Sequence, residues 1–184
     1  SLQYTNVRYP IPYDPPYVPD DIPVGVYRRE YGYKADGTDR ILVFEGADSC
    51  VYLYVNGSFA GYTQVSHCIS EFNITPFLKE GKNIITAAVL KWCDGTYFED
   101  QDKFRMSGIF RDVYVLSRPR ERLFDYRIKT LLAEDFKSAE FIFTPFGLGT
   151  DCLLKDKSGK VIAEFFAEDG KTVSLHINSP YLWS

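Results

Sequence analysis

Between Trp92 and Asp112 the chain sets Asp94, Glu99, Asp100 and Asp102, with Arg105 and Arg111, among Trp92, Tyr97, Phe98, Phe104 and Phe110. Carboxylates accept hydrogen bonds from hydroxyl groups, and aromatic rings cover apolar C–H surfaces, so acids among rings suit a sugar. Two adjacent acids, Glu99 and Asp100, also have the residue types of a glycosidase acid and nucleophile. The simpler reading is structural, with both acids pairing with Arg105 and Arg111 to hold an ordered loop. The run shows no apolar period of 2 or 3.6, so it is neither a regular strand nor a regular helix. Its length and chemistry mark a functional loop rather than a linker.

Strands must position this loop. Six of the ten prolines fall within residues 1–23 (Pro10, Pro12, Pro15, Pro16, Pro19 and Pro23). That arm is extended, and its tyrosines suggest that it lies against something. Strand signals follow at Val24–Tyr33, Arg40–Glu45, Cys50–Val55, Ser58–Gln64, Phe72–Ile74, Asn83–Trp92 and Val113–Leu116. Asn56-Gly57 is a two-residue hairpin turn, because both residues tolerate positive φ. Thr75-Pro76-Phe77-Leu78-Lys79 reads as one capped helical turn with proline at its first position. Short strands and frequent turns predict an all-β jelly-roll sandwich over 1–118. The polar stretch Ser117–Arg122 marks a boundary. Strands recur over 119–184, at Asp125–Leu132, Ala139–Thr144, Cys152–Lys155, Lys160–Phe166 and Thr172–Ile177. These resemble an immunoglobulin-like β-sandwich with about five of its roughly seven strands, and so a partial one.

Bulk properties exclude several classes. Net charge is −4 and the basic residues are interleaved with acids, which argues against nucleic acid as a partner. Cys50, Cys68, Cys93 and Cys152 form no C-x-x-C pair and read as reduced thiols. With two histidines, His67 and His176, a Cys/His zinc site is not expected, and neither histidine adjoins a nucleophile motif. No run approaches the roughly 20 apolar residues of a membrane helix, and the start shows no signal-peptide pattern. Trp92 closes a buried strand and is expected in the core; Trp183 belongs to the second sandwich.

The string Trp92-x-Asp94-Gly95-x-Tyr97-x-Glu99-Asp100-Gln101-Asp102-x-x-Arg105-Met106-Ser107-Gly108-Ile109-Phe110-Arg111-Asp112 resembles the signature of the sugar-binding domain of family 2 glycoside hydrolases, the large bacterial β-galactosidases in particular. Further pieces agree in order: Tyr4-Thr5-Asn6-Val7-x-Tyr9-Pro10, Pro15-Pro16-x-Val18-Pro19, Gly61-Tyr62-x-Gln64, Glu71-Phe72 and Tyr181-Leu182-Trp183-Ser184. The resemblance implies that Asp102 and Asn6 contact a β-galactoside and that Asp102 also holds a monovalent cation. It places the catalytic glutamates in a barrel domain further along the parent chain, so no residue here is catalytic. Asp94, Glu99, Asp100, Arg105 and Arg111 then shape the loop.

The resemblance implies no cofactor in this chain alone, and allows sodium and magnesium in the full enzyme. It implies a homo-oligomeric, cytoplasmic bacterial parent. Two other readings stay open on the residues: an autonomous carbohydrate-binding module, or a purely structural interdomain module.

Overall fold

Period-two alternation decides what is buried. In the strand Cys50–Val55, Val51, Leu53 and Val55 are fully buried while Tyr52 between them faces out. The computed structural model describes residues 3–4, 11–99 and 104–182. In chain order the strands are β1 (Gln3–Tyr4), β2 (Val24–Tyr33), β3 (Thr38–Phe44), β4 (Ala47–Asp48), β5 (Cys50–Val55), β6 (Ser58–Gln64), β7 (Ser70–Asn73), β8 (Gly81–Leu90), β9 (Phe104–Arg105), β10 (Gly108–Ile109) and β11 (Val113–Pro119). They are followed by β12 (Asp125–Leu132), β13 (Ser138–Phe146), β14 (Thr150–Lys155), β15 (Val161–Ala167) and β16 (Val173–Asn178). The chain divides into two units, Ser1–Pro119 and Arg120–Ser184.

The first unit is a jelly-roll β-sandwich. One sheet has the order β2-β8-β5-β6 and the other β11-β3-β7, all antiparallel. Between them lie Leu42, Phe44, Val51, Leu53, Val55, Ile74, Ala87 and Val89. Two short ladders, β1–β9 and β4–β10, complete the unit among the described residues. The hairpin between β5 and β6 turns on Asn56 (φ 52°) and Gly57 (φ 84°), the left-handed pair its sequence demands.

Three expectations need correcting. The turn at Thr75–Phe77 is 3₁₀, and its N-cap, Ile74, supplies no side-chain cap. The Thr75 hydroxyl instead accepts from the Arg40 N–H at 2.7 Å. β11 runs on through Ser117, Arg118 and Pro119, which pair with Arg40, Asp39 and Thr38, so the division falls after Pro119 rather than after Arg118. β11 is an edge strand, and an edge tolerates polar residues and proline. β8 spans Gly81–Leu90, ending before Trp92.

The second unit has a three-stranded sheet, β12-β13-β16, and a two-stranded one, β14-β15. Phe143, 8% exposed, packs beside Tyr126 and edge-on to Phe165, with ring centroids 6.2 Å and 6.1 Å away. The strands alternate in burial along β14 and β16, the pattern of a sandwich with one wet face.

Candidate functional site, the loop between β8 and β10

The loop begins with a single helical turn, α1 (Gly95–Phe98). Asp94 caps it, its carboxylate accepting from the Gly95 N–H at 2.8 Å. Thr96, 1% exposed, accepts from the Cys93 N–H at 3.0 Å and turns the chain back on itself. Glu99 closes the turn, its N–H donating to the Gly95 carbonyl at 3.0 Å. This fold-back aims Glu99 at Ser66, whose N–H and hydroxyl both donate to the carboxylate at 2.7 Å. The same Ser66 hydroxyl lies 3.0 Å from the carboxylate of Asp48, buried at 5% exposure.

Tyr97 holds the proline-rich arm. Its hydroxyl lies 2.6 Å from the Tyr17 carbonyl and 2.9 Å from that of Pro12, and accepts from the Asp14 N–H at 3.3 Å. Its single proton serves the two carbonyls in turn. Ile11, Trp92 and Tyr97 form a small core of their own, joined by Val18 and Ile22. Trp92 is therefore a packing residue, 8% exposed. Tyr97→Phe is expected to leave the fold intact and cost about 1 kcal/mol of arm docking, the worth of one such hydrogen bond. Chymotrypsin should then cut after Tyr13 or Tyr17 several-fold faster. An unchanged rate would mean that packing alone holds the arm.

Beyond the loop, β9 pairs with β1, Gln3 opposite Arg105 and Tyr4 opposite Phe104. Arg105 is buried at 6% exposure. Arg111 donates to the carbonyls of Glu45 (3.4 Å) and His67 (3.2 Å). The pairing of Arg111 with Glu99 expected from sequence is thus replaced, because the turn of α1 directs Glu99 to Ser66 instead. Ile109 and Arg111 line a cleft of about 790 Å³ with Tyr27, Phe44 and Tyr114. His67 rests its ring against Phe110, with centroids 5.0 Å apart.

Asn6, Asp100 and Asp102 lie outside the described residues, as does Trp183. Among the described residues no group of three or more His, Cys, Asp and Glu side chains is placed to hold a metal ion. Glu99 is already occupied by Ser66, so a cation at this loop would have to be held by Asp102 with other oxygens.

Sequence reasoning missed Ser66, Thr96 and the arm-holding role of Tyr97. Ser66 is 33 residues from Glu99 and carries no local motif; its one signal is structural. It follows Val65, a β-branched residue at φ 82° that is 51% exposed. Such a backbone costs on the order of 1–3 kcal/mol. Val65→Asn, which suits positive φ, is expected to raise stability by about 1 kcal/mol in urea unfolding. A lower midpoint would show that the valine side chain contributes packing worth more than the strain.

A second feature lies under the loop. Cys50, on β5, and Cys93, at the loop's entrance, are both buried, and their thiols are in hydrogen-bonding contact. The Cys50 thiol donates to Cys93, which lowers the Cys93 pKa and raises that of Cys50; the Thr96 hydroxyl and the Gly95 and Thr96 N–H groups also favour the Cys93 thiolate.

Fold and site together define a class: an all-β protein of two sandwich units, the first a jelly roll whose acidic and aromatic loop is braced against a docked arm. Residues 1–119 match the family model for the sugar binding domain of glycosyl hydrolases family 2, and the chain belongs to that family. It is 43% identical to a β-galactosidase of Staphylococcus xylosus over 190 residues, covering 100% of this chain and 19% of that protein. It is 51% identical to a β-galactosidase of Actinobacillus pleuropneumoniae over 136 residues, covering 74% of this chain and 14% of that one. Its fold matches a β-D-glucuronidase of Dictyoglomus thermophilum with a TM-score of 0.67 at 22% identity, over 89% of this chain and 32% of the other. The chain thus spans about a fifth or less of the length of these two galactosidases.

Proposed function

We propose that this chain is the sugar-positioning part of a β-galactosidase-like glycoside hydrolase, holding a terminal β-galactoside through Asn6 and Asp102 while a barrel domain of the same parent breaks the O-glycosidic bond. The observation that carries this reading is the β1–β9 register. Gln3 pairs with Arg105 and Tyr4 with Phe104. Counted two residues further along each chain, the same register sets position 6 opposite position 102. Opposed positions in an antiparallel pair have side chains on one face, close enough to share a ligand. Asn6 would supply an amide that both donates and accepts, and Asp102 a carboxylate that accepts from a hydroxyl. Contacts remote from the scissile bond serve orientation, which lowers the entropic barrier to reaction.

The relatives named β-galactosidase supply the substrate class, and the family match supplies the role. A monovalent cation held by Asp102 would add a fixed charge beside the sugar hydroxyls. A bacterial cytoplasmic, homo-oligomeric parent fits the same relatives.

A double-mutant cycle in the parent enzyme tests the juxtaposition. With Asn6→Ala, Asp102→Ala and both, followed by kcat/KM on a β-galactoside, two residues on one sugar are expected to be non-additive. Strict additivity would mean that they do not share a ligand.

A further inference from the structure

We infer that Cys50 and Cys93 form a modification site: a dithiol that a hydroperoxide converts to a disulfide, reversibly fastening the entrance of the loop to the core sheet. Three observations place the pair. The thiols touch, although 43 positions separate them in sequence. Their surroundings favour one nucleophile. The Thr96 hydroxyl lies 4.0 Å from the Cys93 sulfur, and N–H groups of Gly95 and Thr96 point to it. Access differs too, since Cys93 keeps 8% exposure against 1% for Cys50.

These differences order the reaction. The Cys93 thiolate attacks the peroxide O–O bond, giving a sulfenic acid and releasing an alcohol or water. The Cys50 thiol then attacks the sulfenic sulfur, its proton leaving with the hydroxyl as water, and the S–S bond forms. Overall, two thiols and one hydroperoxide give one disulfide, one alcohol and one water. The β5 strand anchors Cys50 rigidly, with Cys50 opposite both Leu90 and Gln64 in the sheet. The new bond would therefore tie the first residue of the loop to the core, adding to the anchors at Tyr97 and Glu99. Cys68 is exposed and Cys152, in the second unit, is half-buried.

The test uses the 184-residue chain with Cys68→Ser and Cys152→Ser, leaving the pair as the sole thiols. Hydrogen peroxide is expected to remove both thiols, counted in denaturant, with a mass loss of two hydrogens and full recovery by a dithiol reductant. With Cys50→Ala added, the Cys93 sulfenic acid has no partner and should be trapped by dimedone. A gain of oxygens without loss of both thiols, a linked dimer, or inertness at peroxide levels that oxidise free cysteine would overturn the inference. So would the absence of a dimedone adduct on Cys93.

Discussion

In the parent enzyme, Asp102→Ala is expected to lower kcat/KM on a β-galactoside by roughly 30- to 150-fold while leaving the melting temperature unchanged. The magnitude follows from the chemistry. A hydrogen bond to a charged acceptor is worth about 2–3 kcal/mol when one partner is removed, and 1.4 kcal/mol is a factor of ten. Asp102→Asn should lose less, because the amide oxygen still accepts from a hydroxyl and only the charge is gone. If sodium is held there, Asp102→Asn should also lose the sodium dependence of activity, since the fixed negative charge would be missing.

The competing role is a structural ion pair, and stability separates the two. Arg105 is buried at 6% exposure, and removing the partner of a buried guanidinium typically costs about 3–5 kcal/mol. A variant that loses activity and melts well below wild type would therefore assign Asp102 to the scaffold. A variant with wild-type activity would sink the sugar role outright.

How much of this was legible follows from how far each feature reaches in sequence. β2, β5 and β6 begin and end where strand propensity and the Asn56-Gly57 turn say they should, because both signals are local. The ladders β1–β9 and β4–β10 were invisible, since two-residue strands carry no period and their partners lie about 60 to 100 positions away. α1 was missed for the same reason: four residues hold barely one turn, and its stability comes from Asp94, Thr96 and the packing of Tyr97. The polar composition of Ser117–Pro119 misled in the other direction, because an edge strand does not need an apolar pattern. At the site, the acids and aromatics were readable as residue types, but the partner of Glu99 was not. Ser66 reaches it only through a backbone turn at Val65 that no sequence rule favours.

The same contrast between local signal and distant consequence gives the largest stability effect expected, at Asn83. Its side chain is fully buried in the first sandwich. The amide nitrogen donates to the carbonyls of Lys79 (2.8 Å) and Gly81 (3.0 Å). The amide oxygen accepts from the Lys79 N–H (2.9 Å) and from Asn56 Nδ2 (2.8 Å), which ties the β5–β6 hairpin to the turn before β8. Asn83→Leu keeps the volume and removes all four bonds. Each orphaned buried group costs about 1–3 kcal/mol, less where water can reach it, as at Lys79 and Gly81. A loss of about 3 kcal/mol is expected, lowering the midpoint of the first unit by about 10 °C or more. Asn83→Asp separates hydrogen bonding from packing. Burial against two carbonyls raises the folded-state pKa of that carboxyl above its unfolded value. Its protonated form, which can donate one bond, stabilises the variant below the unfolded pKa, and that stability is lost as pH rises through the folded pKa. Asn83→Asp should therefore be far less stable at pH 8 than at pH 4 relative to wild type, whereas Asn83→Leu should show no such slope. Equal pH profiles for the two variants would mean that the cavity's shape, rather than its four hydrogen bonds, holds this corner of the sandwich together.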